Sequence, residues 1–303
     1  MAKKIAVTTA SFAEFDRRPL TLLKGGGFRV VFNALARKLK PPEVIKLCVG
    51  CVGVIAGTEE YSGPALRALP GLKVISRCGS GTENIDLKAA KRMKIKIFNT
   101  PDAPALAVAE LTLGLILGLL RRIRSMDRNL HRGVWKREVG SLLYGKRIGI
   151  IGFGRIGRKV CGLLRPFSCR IAYTDPFVKE GFSGAGRMPL GELLRWADIV
   201  AIHAASRGRI IGAKEFRLMK KGAWLLNLSR GTAVDEQGLY NAIKGNRLAG
   251  AAVDVFDKEP YAGTLAKLDN VILTPHIGSF AKETRVEMEM QAVRNLLKGL
   301  KGA

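Results

Sequence analysis

Short runs of branched aliphatic residues alternate with longer polar or amphipathic segments along the chain. In the first hundred residues the runs are KIAVTT, FRVVFN, VGVIAG, LKVISRCG and KIKIFNT, separated by segments such as PPEVIKL and ENIDLKAAKRM. That rhythm predicts βα units and a parallel sheet, because a strand covered on both faces reads as an unbroken apolar run and needs a crossover to reach a parallel neighbour. A long helix is expected from about Ala105 to Arg132, its apolar density pointing to burial between layers. From Lys146 a second series offers six strands: KRIGII, CRIAYT, DIVAI, GAWLLNL, LAGAAVDV and VILT. The last helix, about Lys282 to Lys298, places Val286, Met290, Val293 and Leu297 on one face and predicts Arg285, Arg294 and Lys298 in solvent.

The second series opens with a loop of specific chemistry. Gly152, Gly154 and Gly157 stand in GxGxxG spacing directly after an apolar strand and at the start of a helix whose inward face is Ile156, Val160, Leu163 and Leu164. Such a loop allows a tight turn, a close approach of backbone to pyrophosphate, and close packing of helix on strand. The phosphates would meet the helix-start amides near Arg155 and Ile156. A glycine loop alone is weak, but the next strand ends in Asp175, where a carboxylate accepts hydrogen bonds from adenosine ribose hydroxyls. Pro176 and Phe177 follow it without a positive charge to receive a 2′-phosphate, which favours NAD over NADP.

Composition narrows the class. A length of 303 residues suits two cores, and 47% apolar with 25% charged residues is ordinary for a globular chain. Lys+Arg 51 against Asp+Glu 25 gives a formal charge of +26, a field that attracts phosphorylated substrates, dinucleotides or nucleic acids. The basic residues are spread along the chain with no helix-turn-helix, zinc-finger or aromatic RNA-binding signature, so a nucleic-acid partner is not expected. Leu111 to Leu120 is too short to cross a bilayer and ends in Arg121 and Arg122, so no membrane partner is expected either. Lys3 and Lys4 are followed by Thr8, Thr9, Ser11, Glu14 and Asp16 rather than an apolar run, which leaves a cytoplasmic location as the expectation. Five cysteines, an odd number, fit a reducing compartment. Cys48 and Cys51 form a CxxC, but without a second Cys or His pair at metal spacing no metal site is expected; Cys78, Cys161 and Cys169 read as core fillers.

LLNLSRGTAVDEQGL, AAVDVFDKEP and ILTPHIGS resemble the three catalytic segments of the D-2-hydroxyacid dehydrogenase family, with Arg, Glu and His in the family's order. SRCGSGTENIDL, NTPDAPALAVAELTLGLIL and LLYGKRIGIIGFGRIG extend the resemblance from about Val52 to Ser279, and it is nearest to the phosphoglycerate dehydrogenase branch. The resemblance implies an α/β fold of two domains: a Rossmann NAD-binding domain, residues 101–278, inserted into a flavodoxin-like substrate domain, residues 1–100 completed by 279–303. It implies that NAD is the cofactor and that a small anionic 2-hydroxy acid lies in the cleft. Arg230 would grip the substrate carboxylate and carbonyl, and Glu259 would pair with His276, the acid/base. The chemistry agrees, since hydride transfer at a secondary alcohol needs a proton to leave or join the oxygen, and a carboxylate beside an imidazole favours its protonated form. A guanidinium fork suits a carboxylate. His203 would line the cofactor side, Asp254 would face the nicotinamide amide, and Ser80 with Gly81 would bind the substrate carboxylate. On the residues alone, His203 also fits a core histidine, Asp254 a strand cap and Ser80 with Gly81 a plain turn. His131 reads as a surface residue.

Two departures qualify the branch. VGVIAGTEEYS carries Ala56 and Gly57 where phosphoglycerate dehydrogenases have a phosphate-reaching arginine, with Arg77 as the candidate substitute. The sequence also ends at Ala303, from which a regulatory domain and serine feedback through it are not expected. A rival reading is an NAD-sensing, non-catalytic regulator like the C-terminal binding protein corepressors, but Arg230, Glu259 and His276 are all present, which a scaffold would not need. The expectation is therefore an NAD-dependent oxidoreductase of 3-phosphoglycerate or of hydroxypyruvate and glyoxylate. By resemblance it would be a homodimer.

Overall fold

The computed structural model describes residues 2–178, 181–206 and 208–301. The chain divides into two compact units, one formed by residues up to Pro104 together with those from Ser279 on, the other by Ala105–Gly278.

The first unit holds β1 (Lys4–Val7), β2 (Arg29–Phe32), β3 (Cys51–Ala56), β4 (Val74–Arg77) and β5 (Lys96–Phe98), all parallel, in the order β2-β1-β3-β4-β5. That is the flavodoxin-like doubly wound order. Successive residues of β1 enter opposite layers, Ala6 joining one apolar cluster and Ile5 and Val7 the other, as the period of a strand requires. The helix Lys282–Lys301 covers the second layer.

This helix buries a face rotated from the apolar stripe the sequence suggests, the two sharing Val293. Arg285, Met288, Glu289, Ala292, Val293, Leu296 and Gly299 are buried, whereas Val286, Met290 and Leu297 are half-buried. Arg285 is therefore not in solvent. Its guanidinium lies 3.4 Å from Glu289 and stacks over Phe280, and Glu289 accepts the Ala13 N–H at 2.9 Å. A paired charge satisfied by backbone can occupy a core position that an unpaired one cannot.

The second unit holds β6 (Arg147–Ile151), β7 (Arg170–Thr174), β8 (Gly186–Arg187), β9 (Ile199–Ile202), β10 (Ala223–Asn227), β11 (Leu248–Val253) and β12 (Val271–Leu273), parallel, in the order β12-β11-β10-β9-β6-β7-β8. Counted from β6 this is the 3-2-1-4-5-6 dinucleotide order with one more strand. The six strands read from sequence are all present; β8, only two residues long, has no apolar run to announce it. Both faces are covered: Ile199 and Ala201 of β9 belong to one cluster, Val200 and Ile202 to the other.

The single long helix expected from Ala105 to Arg132 is two helices, Pro104–Leu120 and Ile123–His131, bent by 67°. A continuous helix would give the Leu120 carbonyl to the residue 124 amide. Here that carbonyl accepts the Ser141 N–H at 2.8 Å, and Arg122 turns left-handed at φ +52°. Among the described residues no single helix is long and apolar enough to cross a membrane.

The five cysteines are free thiols. Burial, with Cys51 close by, pushes the Cys48 thiol up to about 12, which fits a structural CxxC rather than a reactive one. No cluster of metal-ligating side chains occurs among the described residues.

Candidate active site

In the second unit every residue singled out for chemistry follows the carboxyl end of a strand. The glycine loop follows β6, Asp175 follows β7 and His203 follows β9; Arg230, Glu259 and His276 follow β10, β11 and β12. Strands β6 and β9 are neighbours at the point where the strand order reverses, the place where doubly wound sheets bind ligands. Strands β10, β11 and β12 are adjacent, so the three catalytic candidates come from consecutive strands about 4.8 Å apart.

The glycine loop is held by packing on three sides. Gly152 has φ +91°, and a Cβ there would lie 2.4 Å from the Ala204 amide nitrogen; a Cβ on Gly157 would lie 2.3 Å from the Gly152 carbonyl. Around Gly154 a Cβ would meet open space, so this face of the loop is the one free to receive a ligand. Phe153 between them is fully buried and stacks on Tyr173 with ring centroids 3.9 Å apart, an anchor of about 1.5–3 kcal/mol. The helix Arg155–Leu164 begins immediately after, and its first-turn amides have no intrahelical acceptors. Asp175 does more than await a ribose. Its Oδ2 accepts the Phe153 N–H at 2.7 Å and its Oδ1 those of Phe177 and Val178, so it ties the glycine loop to the end of β7. His203 donates its backbone N–H to Ile151, while neither of its buried ring nitrogens has a partner among the described residues; burial depresses its pKa to about 4. An orphaned imidazole beside the loop, an open face at Gly154 and a helix start together fit a dinucleotide.

At the other end of the sheet edge, His276 Nδ1 lies 3.0 Å from Glu259 Oε2, and Glu259 Oε1 accepts the Phe256 N–H at 3.1 Å. His276 itself has φ +56°, an unfavourable conformation for a residue with a side chain. Asp254 holds it there. This carboxylate, 1% exposed, accepts Thr274 Oγ1 at 2.6 Å and the Ile277 N–H at 2.8 Å on Oδ1, and the Gly278 N–H at 2.9 Å on Oδ2. The turn bearing His276 is thus clasped on both sides. Burial raises the Asp254 carboxyl above its ordinary pKa, against the three hydrogen bonds that lower it. Arg230 is half-buried and donates from Nη1 to the Ser229 carbonyl at 2.8 Å; its own carbonyl accepts the side-chain amide of buried Asn227. Asn227, Thr274 and Phe153 were not singled out in the sequence, although a lone polar residue ending an apolar strand marks the first two. His131, paired with Asp127 on an exposed helix, takes no part.

In the first unit Gly79 donates its N–H to Thr100 Oγ1 at 2.7 Å, and the Ser80 carbonyl accepts from Asn99 at 2.6 Å, so the Ser80–Gly81 loop is fixed from the end of β5. Arg77 donates from Nη1 to the Cys78 carbonyl and lies where a Cβ on Gly79 would sit, 1.1 Å away. The loop after β3 carries no arginine: the Gly57 N–H and the Thr8 hydroxyl both donate to buried Glu59.

Geometry of this kind, a glycine loop at the switch point and an imidazole–carboxylate pair on the same sheet edge, is that of a dinucleotide-dependent dehydrogenase. Residues 113–278 match the family described as D-isomer specific 2-hydroxyacid dehydrogenase, NAD binding domain. The chain belongs to that family. It is 39% identical over 278 residues to a D-3-phosphoglycerate dehydrogenase of Methanocaldococcus jannaschii, covering 88% of this chain and 52% of the relative. It is 35% identical over 269 residues to a glyoxylate reductase of Korarchaeum cryptofilum, covering 84% of this chain and 80% of that one. The chain therefore spans about half the length of the phosphoglycerate dehydrogenases it matches. The crystal structure of the TT0316 protein from Thermus thermophilus superposes with a TM-score of 0.91 at 32% identity, covering 99% of this chain and 97% of that one.

Proposed function

We propose that the chain is an NAD-dependent oxidoreductase that interconverts a small anionic D-2-hydroxy acid and its 2-keto acid. The observation that carries this reading is the 3.0 Å contact between His276 Nδ1 and Glu259 Oε2, at the end of a sheet whose other half carries the glycine loop. With Nδ1–H donated to the carboxylate, Nε2 keeps its lone pair for the substrate. In oxidation neutral His276 accepts the hydroxyl proton through Nε2 while the C2–H bond breaks and the C–O bond becomes a carbonyl; in reduction the imidazolium returns that proton. Arg230 binds the substrate carboxylate and polarises the carbonyl oxygen. Bound NAD supplies the hydride acceptor in one direction and the donor in the other. The glycine loop and the helix start would hold its pyrophosphate, Asp175 its adenosine ribose, and His203 and Asp254 its nicotinamide side; Ser80 and Gly81 would meet the substrate.

The substrate pair is 3-phosphoglycerate and 3-phosphohydroxypyruvate, or else the substrate is hydroxypyruvate or glyoxylate, each reduced to its own 2-hydroxy acid. The named relatives support both, and with no arginine after β3, phosphate recognition would fall to Arg77. A cytoplasmic site of action is part of the proposal, supported by five unpaired thiols. So is a homodimer, supported by exposed apolar side chains gathered in one segment: Ile123, Leu130, Trp135, Val139, Leu142 and Tyr144 are 53% to 93% exposed, which suits a surface covered by a second copy. The test is NADH oxidation against 3-phosphohydroxypyruvate, hydroxypyruvate, glyoxylate and pyruvate. Turnover of one or more, abolished in His276→Ala, is expected; no turnover of any would reject the reading.

A further inference from the structure

A second group of converging cations lies at the opposite, amino edge of the same sheet, where β10 and β12 begin. A cavity of about 250 Å³ opens there, bounded by the end of the helix Pro104–Leu120, the helix Ile123–His131 and the chain around Asn270. Arg122, Arg124, Arg128 and Lys136 line it against two carboxylates, Glu138 and Asp269, leaving an excess of two positive charges. Leu119, Trp224 and Ile272 supply an apolar and aromatic wall. We propose that this cavity binds a small phosphomonoester, at a site separate from that of the proposed reaction.

The walls are fixed before any ligand arrives. Arg124 Nη1 donates to the carbonyls of Leu268, Asp269 and Val271 at 3.2, 3.2 and 2.9 Å, and Arg128 Nη1 meets Asp269 Oδ1 at 2.6 Å. On the other side Glu138 accepts from Arg122 at 3.1 Å and from Ser125 at 3.1 Å. Those contacts hold both carboxyls below their ordinary pKa, Glu138 chiefly through Ser125 and then Arg122, Asp269 chiefly through Arg128, so neither becomes a neutral acid that would suit an uncharged guest. One donor is left over: Arg128 Nε is buried and has no hydrogen-bond partner among the described residues. A buried unsatisfied donor calls for an acceptor. The Lys136 ammonium makes no hydrogen bond among the described residues and can turn toward the same space. A phosphate offers three terminal oxygens to donors arriving from different directions, whereas a carboxylate offers two in one plane. Trp224 and Ile272 would cover the carbon body of the ester.

The helix Ile123–His131 presents Arg124, Ser125, Arg128 and Asn129 to the cavity. Ile123 and Leu130, seven residues apart and both exposed, lie on its other face.

Trp224 gives a readout independent of catalysis. Titrating the purified protein with inorganic phosphate and then glycerol 3-phosphate, followed by calorimetry and tryptophan fluorescence, should give saturable binding with the ester tighter than phosphate. Arg128→Gln and Lys136→Gln should each weaken it by about 10-fold or more, Lys136 being an exposed loop residue whose change does not threaten folding. Trp224→Phe should remove the fluorescence change while calorimetric binding remains. Arg230→Gln, at the site of the proposed reaction, should leave the affinity unchanged. Binding that never saturates, that survives both cavity variants, that is lost in Arg230→Gln, or that is equally strong for succinate would overturn the proposal.

Discussion

Replacing Asp254 by Asn tests whether the turn at His276 is held rather than merely adjacent. The substitution keeps the side chain's size and halves its accepting oxygens. An amide oxygen in place of Oδ1 can still accept from Thr274 and Ile277, but the amide nitrogen then faces the Gly278 N–H at a separation now bridged at 2.9 Å. Losing a charge-assisted bond and orphaning a buried donor costs about 2–4 kcal/mol, and relief from burying a charge returns part of it. A net loss of about 1–3 kcal/mol corresponds to a fall in Tm of roughly 2–12 °C for a unit of this size. Turnover should fall further than stability. At φ +56° His276 stores strain of about 1–3 kcal/mol, which the turn sheds once its clasp is loosened. A ring displaced by about 1 Å costs on the order of 100-fold in rate. Steady-state kinetics with NADH and the best keto acid should therefore show kcat/KM down about 100-fold, a clearly larger factor than the rise in the Kd of NADH found by fluorescence titration. A residue whose work is only to face the nicotinamide would weaken NADH binding by the same factor as kcat/KM. That result, or unchanged turnover, refutes the positioning role.

Asp175→Ala should narrow the preference for NADH over NADPH and, because the Phe153 N–H loses its acceptor, also weaken NADH binding; a ratio of kcat/KM values that stays put would argue against the ribose contact. Glu259→Gln weakens the acceptor that lies 3.0 Å from His276 Nδ1, so kcat/KM for keto-acid reduction should fall by about 10-fold or more while the Kd of NADH stays put, and unchanged turnover would show that the carboxylate does not orient the ring. Gly157→Ala should destabilise by about 1–3 kcal/mol or more in urea unfolding, since its Cβ would stand 2.3 Å from the Gly152 carbonyl; an unchanged midpoint would contradict that close packing. His203 has a folded-state pKa near 4 against an ordinary 6.5, so its neutral ring contributes stability above pH 6.5 that is lost as pH falls toward 4, roughly 3 kcal/mol in all. His203→Phe should flatten the decline in unfolding free energy between pH 7 and pH 4, and an equally steep decline would show that the imidazole is not the group responsible.

What could be read from sequence was whatever local pattern decides. Eleven apolar runs became strands in two doubly wound sheets because burial on both faces leaves no other reading, and the glycine loop, Asp175, Arg230, Glu259 and His276 fell at strand ends where the topology collects ligands. What escaped was decided by partners distant in sequence. Nothing near Arg121 breaks a helix, and the bend exists because Ser141, twenty-one residues after Leu120, takes that residue's carbonyl. Arg285 and Glu289 count as polar in any hydrophobic pattern, yet each neutralises the other, and both are buried on the face that carries Met288, Ala292, Val293 and Leu296.

The same contrast separates Asp254 from Glu259. Glu259 reaches His276 through its side chain alone, which a resemblance of motifs can foresee. Asp254 works through backbone amides of the turn that follows β12, and its three acceptor contacts are invisible until β11 and β12 are placed side by side. A buried carboxylate desolvated at such cost is retained where its geometry fixes something else. Here that something is a residue with a side chain held at a left-handed backbone angle, and the imidazole it carries. The acid/base of the proposed reaction is thus set by two carboxylates with different tasks: Glu259 holds the ring's proton, and Asp254 holds the ring's position.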